Sequence, residues 1–225
     1  MEQLANVFIL FIIYSFIGWL IEVVYTYLHY HKLSNRGFLI GPICPIYGIG
    51  GLLLIVLLSK YINDPITIFL MSIVLFAILE YLVSFLMEKI FHARWWNYSD
   101  RKFNINGRVC LETIIPFGIL GLITMYFIHP FFVGVLQALP SLMIFAIATS
   151  FAAVFFADLI TSLVIITKYK ITVKKIKHDS TDEITRQVRK HFLESNILKR
   201  RLVKAFPKAK IAQKKKKGKN GKNSK

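Results

Sequence analysis

Five acidic residues lie within apolar stretches of this chain: Glu22, Glu80, Glu88, Glu112 and Asp158. A carboxylate near the centre of a bilayer costs about 3 kcal/mol on insertion scales, so each needs a cation, a watery cavity or a proton. The chemistry open to such groups is proton transfer, cation binding, or ion pairing that fastens one helix to another. Ser15, Gly18, Glu22 and Tyr25 step by three, four and three, which sets them on one helical face. Small and polar residues on one stripe let helices approach closely and hydrogen-bond. Glu22 and Glu88 are expected to form the acidic part of a polar site just inside the cytoplasmic face. Arg36 and Arg108, from the loops that follow, would supply its cations, and Asn35, Asn106 and Tyr47 further hydrogen bonds. An equally open reading is that each glutamate pairs with a loop arginine only to hold two helices and a loop together. Glu80 and Asp158 lie deeper, each a candidate protonatable coupling site. Asp158, with Thr161 and Ser162 nearby, is read first as a hydrogen-bonded packing residue.

The elements that must position these groups are long apolar helices. The chain has 225 residues, 55% of them hydrophobic, with 19 Phe and a mean hydropathy of +0.54. A hydrocarbon core about 30 Å thick needs roughly 20 apolar residues in a helix. The expected fold is an all-α polytopic transmembrane bundle of about five spans: 4–28, 43–58, 66–90, 111–128 and 141–166. The first run is long for a signal h-region and has no A-x-A-like site after it, so it is read as a retained span. The apolar piece between Pro130 and Pro140 is too short to span and is expected to be interfacial or re-entrant; a six-span reading that uses it is the rival.

Charge orients the bundle. The net charge is +17, and residues 168–225 hold 21 of the 29 Lys and Arg against 4 of the 12 acids. The loop after the first span carries Lys32 and Arg36, and the loop after the third carries Arg94, Arg101, Lys102 and Arg108. The loop after the second has only Lys60, and the loop after the fourth has neither Lys nor Arg. Five spans with the N-terminus outside and the C-terminus in the cytoplasm satisfy the positive-inside bias. The expected location is therefore a membrane bordering the cytoplasm, crossed several times.

An internal repeat accompanies this alternation. A shift of 66 places Ser15, Gly18, Glu22 and Tyr25 over Tyr81, Ser84, Glu88 and Phe91. A shift of 70 places Gly37, Tyr47, Gly48 and Gly51 over Gly107, Phe117, Gly118 and Gly121, the four-residue difference being read as a longer second loop. The units, about 4–58 and 66–128, each hold two spans and so form a parallel repeat. Together with the fifth span they make a transmembrane domain of residues 1–167.

Residues 168–225 form a basic cytoplasmic tail. Ser180-Thr181-Asp182-Glu183 is a capping-box pattern that opens an amphipathic helix over about 181–206. Arg186, Arg189, Lys190, Lys199, Arg200 and Arg201 are expected to lie on anionic lipid, each contributing about 1 kcal/mol near the surface. Residues 207–225 are read as a disordered polybasic end. Nucleic acid is disfavoured as a partner because the tail has almost no aromatic residues for base stacking. There is no P-loop, G-x-S-x-G, H-E-x-x-H or CxxC motif, so no catalytic or metal-ligating set is assigned and no cofactor is called for. Cys44 and Cys110 are read as small buried thiols. Trp95, Trp96 and Tyr98 are read as an interfacial aromatic belt.

Tyr14-Ser15-Phe16-Ile17-Gly18-Trp19-Leu20-Ile21-Glu22, Asn35-Arg36-Gly37-Phe38-Leu39 and Cys44-Pro45-Ile46-Tyr47-Gly48 resemble the signature of the bacterial "putative ABC-transporter type IV" membrane proteins. Arg94-Trp95-Trp96-Asn97-Tyr98-Ser99 and Asn106-Gly107-Arg108-Val109-Cys110-Leu111 are similar to its second block. The resemblance covers roughly 8–121. It implies a permease-like or transport-associated subunit in the bacterial cytoplasmic membrane, with a separate ATPase subunit as partner; the oligomeric state stays open. The alternatives are a membrane-embedded enzyme acting on a lipid headgroup and a non-catalytic adaptor with a lipid-binding tail.

Overall fold

The computed structural model describes residues 1–31, 35, 37–91 and 93–175, and in the tail 190, 193, 200, 201, 204, 205, 210 and 211. The fold is an all-α bundle: α1 (Glu2–Tyr30), α2 (Pro45–Leu58), α3 (Pro65–Phe91), α4 (Leu111–Ile123), α5 (His129–Gln137) and α6 (Ser141–Lys175). A π-helical turn, Thr124–Ile128, joins α4 to α5, so that Leu111–Gln137 forms a single apolar stretch of 27 residues. Among the described residues, four helical stretches are long and apolar enough to cross a membrane, and Pro45–Tyr61 is a shorter fifth.

The sequence fixes where these helices begin. Pro45 occupies the first turn of α2, where its missing N–H would have had no partner, and Cys44 precedes it as an extended N-cap. Cys110 is the N-cap of α4, and Thr113 accepts its backbone N–H. The two cysteines, 66 residues apart, thus play the same role in the two halves; both are buried. Asp64 accepts from the Thr67 backbone and hydroxyl at 3.1 and 2.6 Å, capping α3.

The stretch after Pro130 is not a separate interfacial piece. It continues the fourth helix, which corrects the expectation. Proline has no N–H and crowds the carbonyl four residues back. The ladder answers by widening to a π turn, in which His129 N–H bonds to Thr124 O.

α1 packs on α2 and α3 on α4 through glycine contacts. Gly48 lies against Ser15 and Phe11, and Gly51 against Tyr14; Gly118 lies against Phe69 and Ile73, and Gly121 against Ser72. Mapped by the 66-residue shift, the α3 contacts fall eight residues earlier than the α1 contacts. The second pair is therefore displaced by about 12 Å along the helix relative to the first.

Among the described residues, three apolar clusters hold the bundle. One joins α1 to α5 and α6 (Ile9, Tyr14, Leu136, Ile144). Another joins α2, α3 and the π turn (Leu54, Ile68, Phe76, Met125). A third packs Leu39 between Ile12 and Phe155. The outer faces stay apolar: Val56, Ile78, Leu142, Val154 and Ile160 are all more than half exposed. Such a surface suits hydrocarbon, where every backbone group is already satisfied within its helix.

The loop after α3 folds as a hairpin, β2 (Asn104–Ile105) against β3 (Val109–Cys110). Asn106 and Gly107 both have positive φ (53° and 65°), and Arg108 N–H bonds to Ile105 O at 3.0 Å, the pattern of a type I′ turn. Before it, β1 (Ala93–Arg94) pairs antiparallel with β4 (Lys210–Ile211) from the tail stretch expected to be disordered. The capping-box residues 180–183, with Arg36, Arg186, Arg189 and Lys199, lie outside the described residues.

Candidate functional site

Two tyrosine–carboxylate pairs meet where the basic loops cover the bundle. The Tyr47 hydroxyl on α2 donates to Glu22 on α1 at 2.8 Å. Gly18, one turn before Glu22, makes this reachable: a Cβ there would collide with the Tyr47 ring. Phe117 of α4 packs edge-on to the same ring at 6.1 Å.

The second pair is Glu80 on α3 with Tyr98 in the following loop. The Tyr98 hydroxyl donates to Glu80 Oε1 at 3.3 Å. The hairpin places this tyrosine, since Tyr98 N–H donates to Gly107 O at 2.8 Å. Glu80 is 8% exposed. Its Oε2 is buried and accepts no hydrogen bond among the described residues. Glu22 and Glu80 are near enough for each charge to act on the other and on both tyrosines. Burial first, then Glu80 and Glu22, push the Tyr98 phenol above its ordinary value. Tyr98 therefore stays a hydrogen-bond donor across the working pH range.

Glu88 belongs to a different constellation. Its Oε2 receives Arg94 Nε at 2.9 Å and Arg108 at 3.0 Å. Arg108 is buried, donates to Ser84 Oγ at 3.2 Å, and lies over the Tyr81 and Phe85 rings at 5.6 and 5.5 Å. Trp96 donates to the Arg108 carbonyl at 3.0 Å, and Asn106 to the Tyr81 hydroxyl at 3.1 Å. This is the geometry of a clamp that holds the hairpin on α3. Glu112 pairs with Arg101 at the exposed rim, at 2.8 Å.

Asp158 on α6 is occupied by backbone. Ile40 N–H donates to Oδ1 at 2.8 Å, Gly41 N–H to Oδ2 at 2.7 Å and Ser162 Oγ to Oδ1 at 3.0 Å. A Cβ on Gly41 would stand 2.9 Å from Oδ2, so glycine permits the approach. Asp158 thereby docks the first loop on the last helix. Half-buried Arg201 reaches the same place, donating to the Leu39 carbonyl within the field of Asp158. Lys190 and Arg200 are exposed.

Of the residues singled out in the sequence, the structure brings Glu22 to Tyr47 and Glu88 to Arg108. It sets Glu80 within the field of Glu22, and Glu88 against Arg94 and Arg108. Tyr98 and Arg94 were missed as site residues. The signal was their place in the run that follows Glu88, which also supports an aromatic-belt reading. Also missed was Tyr14 Oη with His129 Nδ1, 2.7 Å apart. A cavity of about 20 Å³ lies between α1, α2, α3 and α4, lined among others by Tyr14, Gly18, Tyr47, Phe76 and Thr124. That is room for about one water.

Comparison with known families places this arrangement. The family described as "Putative ABC-transporter type IV" matches residues 9–163. The chain belongs to this family. The match runs from α1 into α6, hence over Glu22, Tyr47, Glu80, Glu88, Tyr98, Arg108 and Asp158, and ends before the tail. No curated protein and no solved structure matches the chain. Family membership and the four long apolar helices make this type IV member a membrane protein associated with transport.

Proposed function

We propose that this protein is a permease-like subunit whose polar site is the Glu22–Tyr47 and Glu80–Tyr98 cluster, just inside the cytoplasmic face. The observation that carries the reading is Glu80: a carboxylate buried between helices, its second oxygen without a partner among the described residues, beside a second carboxylate. A structural acid is normally satisfied, as Asp158 and Glu88 are here; an incompletely satisfied one marks a site that takes something up. The basic loops and tail set the orientation, N-terminus outside and C-terminus in the cytoplasm. The chain has no nucleotide-binding motif, so ATP-driven work would fall to a separate ATPase subunit docked at the basic end.

The test is purification of the tagged full-length chain from its native membranes in mild detergent. The reading predicts an ATP-hydrolysing subunit that follows the tag, and stimulation of its activity that Glu80→Gln abolishes. An isolated chain, together with a lipid species missing from the deletion strain, would instead establish the headgroup-enzyme reading.

A further inference from the structure

We infer that Glu80 is a proton-binding site, neutral in the resting protein. The inference rests on the proposed polar site and names the species it takes. An ionised Glu80 would bury a whole charge, with one oxygen accepting a 3.3 Å bond and the other none among the described residues. A neutral carboxyl buries only an O–H, which costs far less. Glu22 adds to this, because two carboxylates sharing one dry site do not both ionise readily.

Among the described residues, the groups facing Glu80 from the elements packed on it are Glu22 from α1, Tyr47 from α2 and Tyr98 from the second loop. The arginines of that loop are engaged elsewhere, Arg94 and Arg108 on Glu88 and Arg101 on Glu112. Glu22 is half-buried and lies nearer solvent. Uptake forms one O–H bond on Glu80 with a proton drawn from water and removes one negative charge from the site. Tyr47 donates to Glu22 and Tyr98 to Glu80.

Infrared spectroscopy of the full-length protein in phosphatidylcholine vesicles tests this directly. A protonated-carboxyl C=O band is expected at pH 7, shifted in D₂O, lost in Glu80→Gln and retained in Glu112→Gln. Tyr98→Phe guards against a folding defect in the first variant. It should keep the band and move it to higher frequency, because the carboxyl loses its phenol donor. No band at pH 7, or a band indifferent to both Glu80→Gln and Tyr98→Phe, would overturn the inference. The band is read without any ATPase, so a failed co-purification and a failed proton site give separate results.

Discussion

Arg108 uses most of what an arginine offers: an ion pair with Glu88, a hydrogen bond to Ser84 and two aromatic faces. Its side chain is 9% exposed. Removing one partner of a buried pair leaves the other charge uncompensated. Arg108→Ala should therefore lower stability by about 3 kcal/mol, seen as an earlier thermal unfolding of the purified protein. Arg108→Lys should recover only part of this, since an ammonium cannot reproduce the planar fork or the stacking. Asp64 is an exposed counterpart. Hydrogen bonds from Thr67 hold its carboxyl below the usual value. A depressed folded value means stability that is present above about pH 4 and lost as pH falls through the folded value. Amide exchange at the first turn of α3 should therefore be faster in Asp64→Ala than in wild type at pH 7, with the difference closing in acid. The contact of Glu22 with Tyr47 was legible because both residues are polar in apolar runs and are joined by a short loop. The place of Glu80 beside Glu22 was not, because spacing along a helix gives its face but not its height against a neighbour.

At the level of elements, that height is the point. The repeat suggested that Glu22 and Glu88 face one another. The glycine contacts of the second pair instead fall eight residues from where the first pair would put them, and Glu80 stands eight residues before Glu88. Sequence matching finds equivalent positions, while packing sets which of them meet. The long helices followed from the apolar runs. The π turn did not, because Pro130 alone reads equally well as a break between elements. The glycines give a contrast to measure. Gly18→Ala forces a Cβ into the Tyr47 ring, so it should destabilise by about 1–3 kcal/mol and part Tyr47 from Glu22. Gly134 faces open space on α5. Gly134→Ala should be neutral or stabilising by up to about 1 kcal/mol in the same unfolding assay.

For the whole molecule, the account requires the loops bearing Gly37 and Gly107 and the tail to share one side of the membrane. Phe38 packs on Phe91 at 6.0 Å, β4 pairs with β1, and Arg201 reaches Leu39, so the structure gathers all three at one end. Reporter fusions should place Lys225 in the cytoplasm and the turn at Asn63 outside. The resemblance read from residues 8–121 proved narrower than the family match, which runs on to 163; the added part is the helix whose Asp158 docks the first loop. The central claim is that Glu22 faces Glu80, and paired-cysteine cross-linking in native membranes tests it most directly. In a background of Cys44→Ser and Cys110→Ser, cysteines at 22 and 80 should join through a short bis-maleimide, while a pair at 22 and 88 should not. Efficient joining of 22 to 88, with none between 22 and 80, would contradict the account.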